Sequence, residues 1–473
     1  MTSDYAQRQR EVEREIFARR PEHSISPSLE RISALVTLLG DPQRAYPVIH
    51  LTGTNGKTST ARMTEVLLRA RGLRTGLFTS PHLSSVGERI SVDGQPLDAE
   101  QFVTAFEEIK PYLDVVDASH DVPLSFFEVL VGMAFAVFAD APVDVCVLEV
   151  GMGGTWDNTN VADGAVAVVT PISIDHAKYL GSTVDQIAAD KAGIIKPGAI
   201  AVLAQQQPAA AEVLLRRVAE VGASVVREGI EFGVLSRDLA VGGQQVSVRG
   251  LLGDYEDLYL PLFGAHQAGN LACAIAAVEA FARTPAAAHG LESSALGADI
   301  VRRAVATISS PGRLEVVRRS PVVILDAGHN PGGMAVAVDA LTEAFSFTDL
   351  IAVVAIMADK DVAGILGELE PVVSHLVATV NSSARSMPAP ELAAIAVTVL
   401  GPERVTVAER LDDAIDIAVA LADAADAGAA EGAPGQAGVL ITGSVVTAGD
   451  ARLLLRDANA PAGVWHGTSG GDR

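Results

Sequence analysis

Cysteine is scarce in this chain: two in 473 residues, Cys146 and Cys273, each in apolar surroundings and without metal-type spacing. That excludes a disulfide framework or a cysteine-zinc site and places the chain in a reducing compartment. Long apolar runs are missing as well. Asp, Gly or Pro breaks every stretch short of the roughly 18 to 20 residues a membrane span needs. The N-terminus, MTSDYAQRQREVEREIFARR, is charged where a signal peptide is apolar, so a cytoplasmic protein is expected. Basic residues are in deficit, with 35 Lys and Arg against 58 Asp and Glu. A net charge of −23 excludes sequence-independent nucleic-acid binding, which needs a clustered basic surface. Any anionic ligand must therefore be drawn in by a local positive field, for which Lys57, Lys191, Lys196 and Arg313 are candidates.

What is present is apolar material for a large core, 49% of residues, in a chain too long for one domain. Its organising stretch is PVIHLTGTNGKTST, Pro47 to Thr60. Val48 to Leu51 reads as a buried strand, and Met63, Val66, Leu67 and Ala70 recur at helical spacing up to Gly72. Between them Gly53, Thr54, Asn55 and Gly56 form a turn whose amides face an anion at a helix N-terminus. Lys57 is placed to reach outer phosphates and Thr58 to meet Mg²⁺ or a phosphate oxygen. The spacing is two residues shorter than the usual P-loop, so only the second half of that motif is matched.

Other strand ends carry polar residues. Arg74 to Thr79 reads as a strand ending in Ser80, Pro81 and His82, either an ordinary Ser-Pro turn or a ligand contact. VDVCVLEVGMGG ends a largely apolar strand on Glu149, which must be a metal ligand or a hydrogen-bonded core residue; a phosphate loop in the same sheet favours Mg²⁺. Val166 to Thr170 is a further strand, followed by Asp175 and His176, and convergence with Glu149 and Lys57 favours a site role for His176. Lys191 reads most simply as a surface ion-pair partner. Helices are expected from Ser26 with Pro27 at its first position, over Asp98 to Leu113, over Ser125 to Asp140, and over 264 to 282, where His266, Gln267 and Asn270 look like solvated capping residues. From about 224 to 262 short alternating segments predict a small antiparallel subdomain. A second domain begins near Ser309, with strands at Val322 to Leu325, Leu350 to Ile356, Leu376 to Val380 and Gly438 to Thr442. There DAGHNPGG sets Asp326, His329 and Asn330 at a strand end, with Asn330 capping a helix that starts at Pro331.

In order along the chain, LTGTNGKTS, TSPHL with ERI, LEVGMGG…DNTN, SIDHAKYLG, KAGIIKPG, GAHQAGN, PGRLE, DAGHNP and TGSVVTAG resemble the folylpolyglutamate synthase and dihydrofolate synthase family of the Mur ligase superfamily. The resemblance implies an α/β fold: an N-terminal P-loop ATPase-type parallel sheet with the antiparallel subdomain (1–308), plus a C-terminal Rossmann-like α/β domain (309–473) closing over the cleft. It implies an ATP-dependent ligase joining L-glutamate to a reduced folate, with dihydrofolate synthase or a bifunctional enzyme as the alternative. A slow nucleotide switch that ligates nothing is the reading from another class. The family pattern makes Gly53 to Thr58 the phosphate cradle, and Asn270, Arg313, Asp326 and His329 nucleotide contacts. Ser80, Glu149, His176 and Thr58 become ligands of two Mg²⁺ ions, and Lys57, Lys191 and His176 catalytic residues. Lys191 matches a lysine often carbamylated in this family. Ser26 to Glu30 and Thr155 to Asn158 match pterin-site positions more loosely. The chain departs from the family pattern at Thr58, where Gly is common, at Ala327-Gly328, and at Thr155-Trp156, where Arg-Leu or Arg-Phe is usual. A monomer that binds neither nucleic acid nor membrane is expected.

Overall fold

The computed structural model describes residues 2–21, 27–287, 296–428 and 436–458. It divides into two compact units, Met1–Ser310 and Pro311–Arg473.

In the first unit, short β-branched runs make β1 (Val48–Thr52), β2 (Thr75–Phe78), β3 (Ile90–Val92), β4 (Gln95–Pro96), β5 (Val145–Glu149), β6 (Gly164–Val169), β7 (Ile200–Leu203) and β8 (Ser224–Arg227). They form one sheet in the order β4-β3-β2-β5-β1-β6-β7-β8. Pairing is parallel from β2 through to β8, with β3 and β4 antiparallel at one edge. Central strands must bury both faces, and alternation divides them between two cores. Ile49, Leu51, Val145 and Val147 pack with the helix Ala265–Ala282, whereas Val48, Cys146 and Leu148 pack with the helix Phe126–Asp140. The ends of β2, β5, β1 and β6 thus emerge side by side.

Both cysteines are buried, and burial raises their thiols. Ser125 and Glu128 close a capping box on the helix Phe126–Asp140, and Asp98 with Gln101 does the same for Ala99–Ser119. The helix expected from Pro27 begins instead at Glu30, and Ser26 lies outside the described residues. A three-stranded antiparallel sheet is present, β9 (Gly233–Ala240), β10 (Gly243–Arg249) and β11 (Asp254–Leu260). It starts later than expected, because Ser224–Arg227 pairs with β7 in the main sheet. A four-residue strand carries no mark of its partner, and tertiary pairing decides.

The second unit holds β12 (Glu315–Arg319), β13 (Val322–Leu325), β14 (Phe347–Val354), β15 (His375–Ala378), β16 (Val405–Val407) and β17 (Gln436–Thr442), ordered β12-β13-β17-β14-β15-β16. All pairs are parallel except β12 with β13. The Asn330 side chain accepts the Gly333 amide at 2.7 Å, so the helix Pro331–Ala344 starts where its cap and proline place it. The acidic helix Leu411–Gly428 is amphipathic, burying Leu411, Ala414, Ile415, Ala418 and Ala422. Among the described residues no helix is long and apolar enough to cross a membrane.

Candidate functional site

Gly53 to Gly56 joins β1 to the helix Lys57–Ala70. Gly53 and Gly56 adopt φ of +146° and +87°. A Cβ on Gly53 would lie 1.9 Å from Thr170 Oγ1, and one on Gly56 2.5 Å from Asn270 Oδ1. Conformation and close approach therefore both demand glycine here. The amides of Thr54 and Asn55 donate to Pro171 O at 3.0 and 3.4 Å. Thr54 Oγ1 donates to Ser173 O and accepts the Ser173 amide, tying the loop to the segment after β6. Lys57 Nζ donates to Gly53 O and Thr54 O, both at 3.1 Å, which holds its charge at the loop.

Two strand ends and a helix start meet on one carboxylate. Thr58 Oγ1 donates to Glu149 Oε1 at 2.8 Å, and the Ser80 amide donates to Glu149 Oε2 at 3.2 Å. Glu149 is only 1% exposed, and these donors partly compensate its burial. Its oxygens and the hydroxyls of Thr58 and Ser80 are hard donors of the kind Mg²⁺ takes. His176 begins the short helix Ala177–Leu180 with φ +52°, its Nε2 3.8 Å from the Asp175 carboxylate. Among the described residues no three His, Cys, Asp or Glu side chains gather as a metal cluster.

Lys191 overturns its surface reading. It ends the helix Val184–Lys191 at 3% exposure, with Nζ donating to Gly53 O at 2.7 Å. Burial first, and the neighbouring Lys57 charge second, push its pKa down to about 7. Gln267 and Asn270 are likewise not solvated capping groups. Both are buried, Asn270 Nδ2 donates to Gln267 Oε1 at 3.1 Å, and Asn270 Oδ1 sits against Gly56.

In the second unit, buried Asp326 follows β13 and accepts the amides of Leu314 at 3.1 Å and Gly328 at 2.7 Å. Burial raises its pKa, and the Arg313 guanidinium offsets part of that. His329 Nδ1 lies 3.0 Å from Ala327 O, just before the helix Pro331–Ala344.

The segment Gly151 to Asn160 shows in the sequence only as a motif, and its anchoring comes from contacts distant in sequence. Thr52 Oγ1 donates to Gly153 O at 2.6 Å, and Thr155 donates its amide and its hydroxyl to Asp190 O at 2.9 and 2.8 Å. Asp157 is buried beside Thr159, which in turn meets His50 in β1. The signal was His50 itself, a polar residue in the apolar strand VIHLT.

Residues 51–278 match the family model described as Mur ligase middle domain, and residues 312–444 that described as Mur ligase, glutamate ligase domain. A dihydrofolate synthase/folylpolyglutamate synthase of Mycobacterium tuberculosis is 50% identical over 460 residues, spanning 94% of this chain and 93% of that protein. The chain belongs to the folylpolyglutamate synthase family of the Mur ligase superfamily. Another family member, the folylpolyglutamate synthase of Lacticaseibacillus casei, is 34% identical over 76% of this chain and 82% of its own length. Crystal structures of the Mycobacterium tuberculosis folylpolyglutamate synthase complexed with ADP and AMPPCP superpose with a TM-score of 0.89 at 48% identity, covering 95% of this chain and 99% of theirs. The three-sheet architecture is thus that of the folylpolyglutamate synthases.

Proposed function

We propose that this chain is an ATP-dependent ligase that adds L-glutamate to the γ-carboxylate of a reduced folate. The observation that carries the reading is the convergence of the glycine loop, Lys57 and the Thr58–Glu149 pair at the ends of the central strands β1 and β5, in a chain of this family. A γ-carboxylate oxygen attacks the γ-phosphorus of ATP; the new P–O bond gives an acyl phosphate, and ADP leaves with the bridging oxygen. The glutamate amine then attacks the acyl carbon, loses a proton and expels phosphate. Residues 1–308 would bind the nucleotide and residues 309–473 would complete the ligase, with Asn270, Arg313, Asp326 and His329 as nucleotide contacts.

Lys57 and the amides at the start of its helix would supply fixed positive charge where phosphoryl transfer builds negative charge, whereas the Thr54 and Asn55 amides are already given to Pro171 O. Glu149, Thr58 and Ser80, with His176 as a further ligand, would hold two Mg²⁺ ions, which shield phosphate charge when bound. Glu149 then serves the metal, not the folate. Lys191 suits carbamylation: a buried amine with a lowered pKa is nucleophilic toward CO₂, and its carbamate would be a carboxylate-like group beside the loop. The enzyme would work in the cytoplasm as a monomer.

A second reading, that dihydropteroate is also a substrate, is favoured by the double name of the 50% identical relative. One experiment addresses both: phosphate release with MgATP and L-glutamate, comparing tetrahydrofolate, dihydropteroate and no pterin, with products weighed by mass spectrometry. Tetrahydrofolate-dependent release with glutamyl addition is expected, and dihydropteroate turnover would make the enzyme bifunctional. Release indifferent to either pterin would replace the ligase with a nucleotide switch.

A further inference from the structure

His50 lies mid-strand in β1 and is fully buried, where an apolar side chain would avoid the cost of desolvating an imidazole. Its Nε2 is 2.9 Å from Thr159 Oγ1. The Thr159 hydroxyl donates to Asp157 Oδ1, which also accepts the Thr159 amide at 2.9 Å, and Asp157 Oδ2 accepts the Met152 amide at 2.9 Å. A hydroxyl has one proton. Since Thr159 gives it to Asp157, His50 must donate from Nε2, which leaves Nδ1 a bare acceptor. Among the described residues that atom is indeed buried with no hydrogen-bond partner. The fold thus buries an imidazole and a carboxylate to keep this chain of bonds, a local violation of the kind that marks functional sites.

The chain of bonds ends in the segment that touches Lys191. Thr155 clasps Asp190 O with its amide and its hydroxyl, and a Cβ on Gly154 would lie 2.8 Å from Lys191 O. Asn160 Nδ2 donates to Thr155 O at 3.0 Å, and Lys196 Nζ donates to Asn160 O at 3.2 Å. We infer that His50 is a positioning residue for the ligation: acting through Thr159 and Asp157, it fixes Gly151–Asn160 and thereby the helix end that presents Lys191 to Gly53. This role rests on the ligase reading above, whereas the anchoring itself does not.

Trp156 sits inside the anchored segment, and Trp465 is the chain's second tryptophan. In a Trp465→Phe background, Trp156 emission therefore reports the segment's position with or without substrate. His50→Leu and Thr159→Val should each shift that emission and lower kcat about tenfold, with KM for MgATP within about twofold of wild type. Thr159→Ser keeps the hydroxyl and should restore both. The double variant His50→Leu/Thr159→Val should be no worse than the poorer single variant, because both cut one path. A His50→Leu protein with a cooperative melt, whatever its Tm, but wild-type kcat and emission overturns the inference, as does a kcat loss without an emission shift. If His50→Leu fails to fold, the Thr159→Val and Thr159→Ser pair decides by the same readouts. A wild-type protein that adds no glutamate would remove the ligase reading, and the emission readout would still judge the anchoring.

Discussion

Lys191 shows how one residue's burial sets its chemistry. Its ordinary pKa of 10.5 falls to about 7 because desolvation and the Lys57 charge both oppose the ammonium. In the unfolded chain the proton stays on up to about 10.5, so between pH 7 and 10.5 the unfolded state binds more protons. The lysine's contribution to stability therefore rises with pH through that window; below 7 the amine is charged in both states and the burial penalty is complete. The free amine that reacts with CO₂ is thus available in the folded protein from about pH 7. Protein equilibrated with ¹³C-bicarbonate should show a carbamate carbon resonance that grows as pH passes about 7 and is missing from Lys191→Met. An active enzyme without that resonance would remove the carbamate and leave Lys191 as a neutral donor to Gly53 O.

Elements whose signals are local were legible in the sequence. The strand, glycine turn and helix around Lys57 were readable because propensity, glycine and periodicity coincide within twenty residues, and Asn330-Pro331 because cap and proline are adjacent. Lys191 reads as a surface residue because the group it meets, Gly53 O, is distant in sequence, and β12 and β16 leave no mark because short edge strands show little alternation. The double contact between Thr155 and Asp190 was hidden for the same reason. Glycine supplies a test of that contact. Gly193 has no left-handed backbone to protect, yet a Cβ there would fall 2.2 Å from Thr155 Oγ1 and 2.5 Å from Thr155 Cα. Gly193→Ala should cost about 1–3 kcal/mol in urea denaturation, the usual penalty of overpacking. Gly367, inside the helix Val362–Leu369 with nothing within 4 Å of its Cβ position, is the control. Gly367→Ala should gain up to about 1 kcal/mol from helix propensity. Equal effects at the two positions would mean that Thr155 yields freely and that the contact does not fix the segment.

At the scale of the whole molecule, alternating strand and helix make two largely parallel sheets readable from the sequence, one in each unit. The same sequence sets a conflict, since a chain of net charge −23 must attract ATP and folates, which are themselves polyanions. Two fields compete with different ranges. The repulsion is the sum of 58 acidic against 35 basic side chains spread over the protein, so it acts from far away. On the proposed assignment the attraction comes from a few groups such as Lys57 and is felt near contact. Salt screens the two unequally, because the Debye length is about 10 Å at 0.1 M and exposed charges further apart than that are largely screened. Raising ionic strength from about 10 to 150 mM should therefore remove more repulsion than attraction, and kcat/KM for the folate should rise by about two- to fivefold at saturating MgATP and fixed free Mg²⁺. Folates with longer glutamate tails carry more charge and should show the steeper dependence. If kcat/KM instead falls with salt, the positive field reaches well beyond the phosphate loop and outweighs the acidic surface even at a distance.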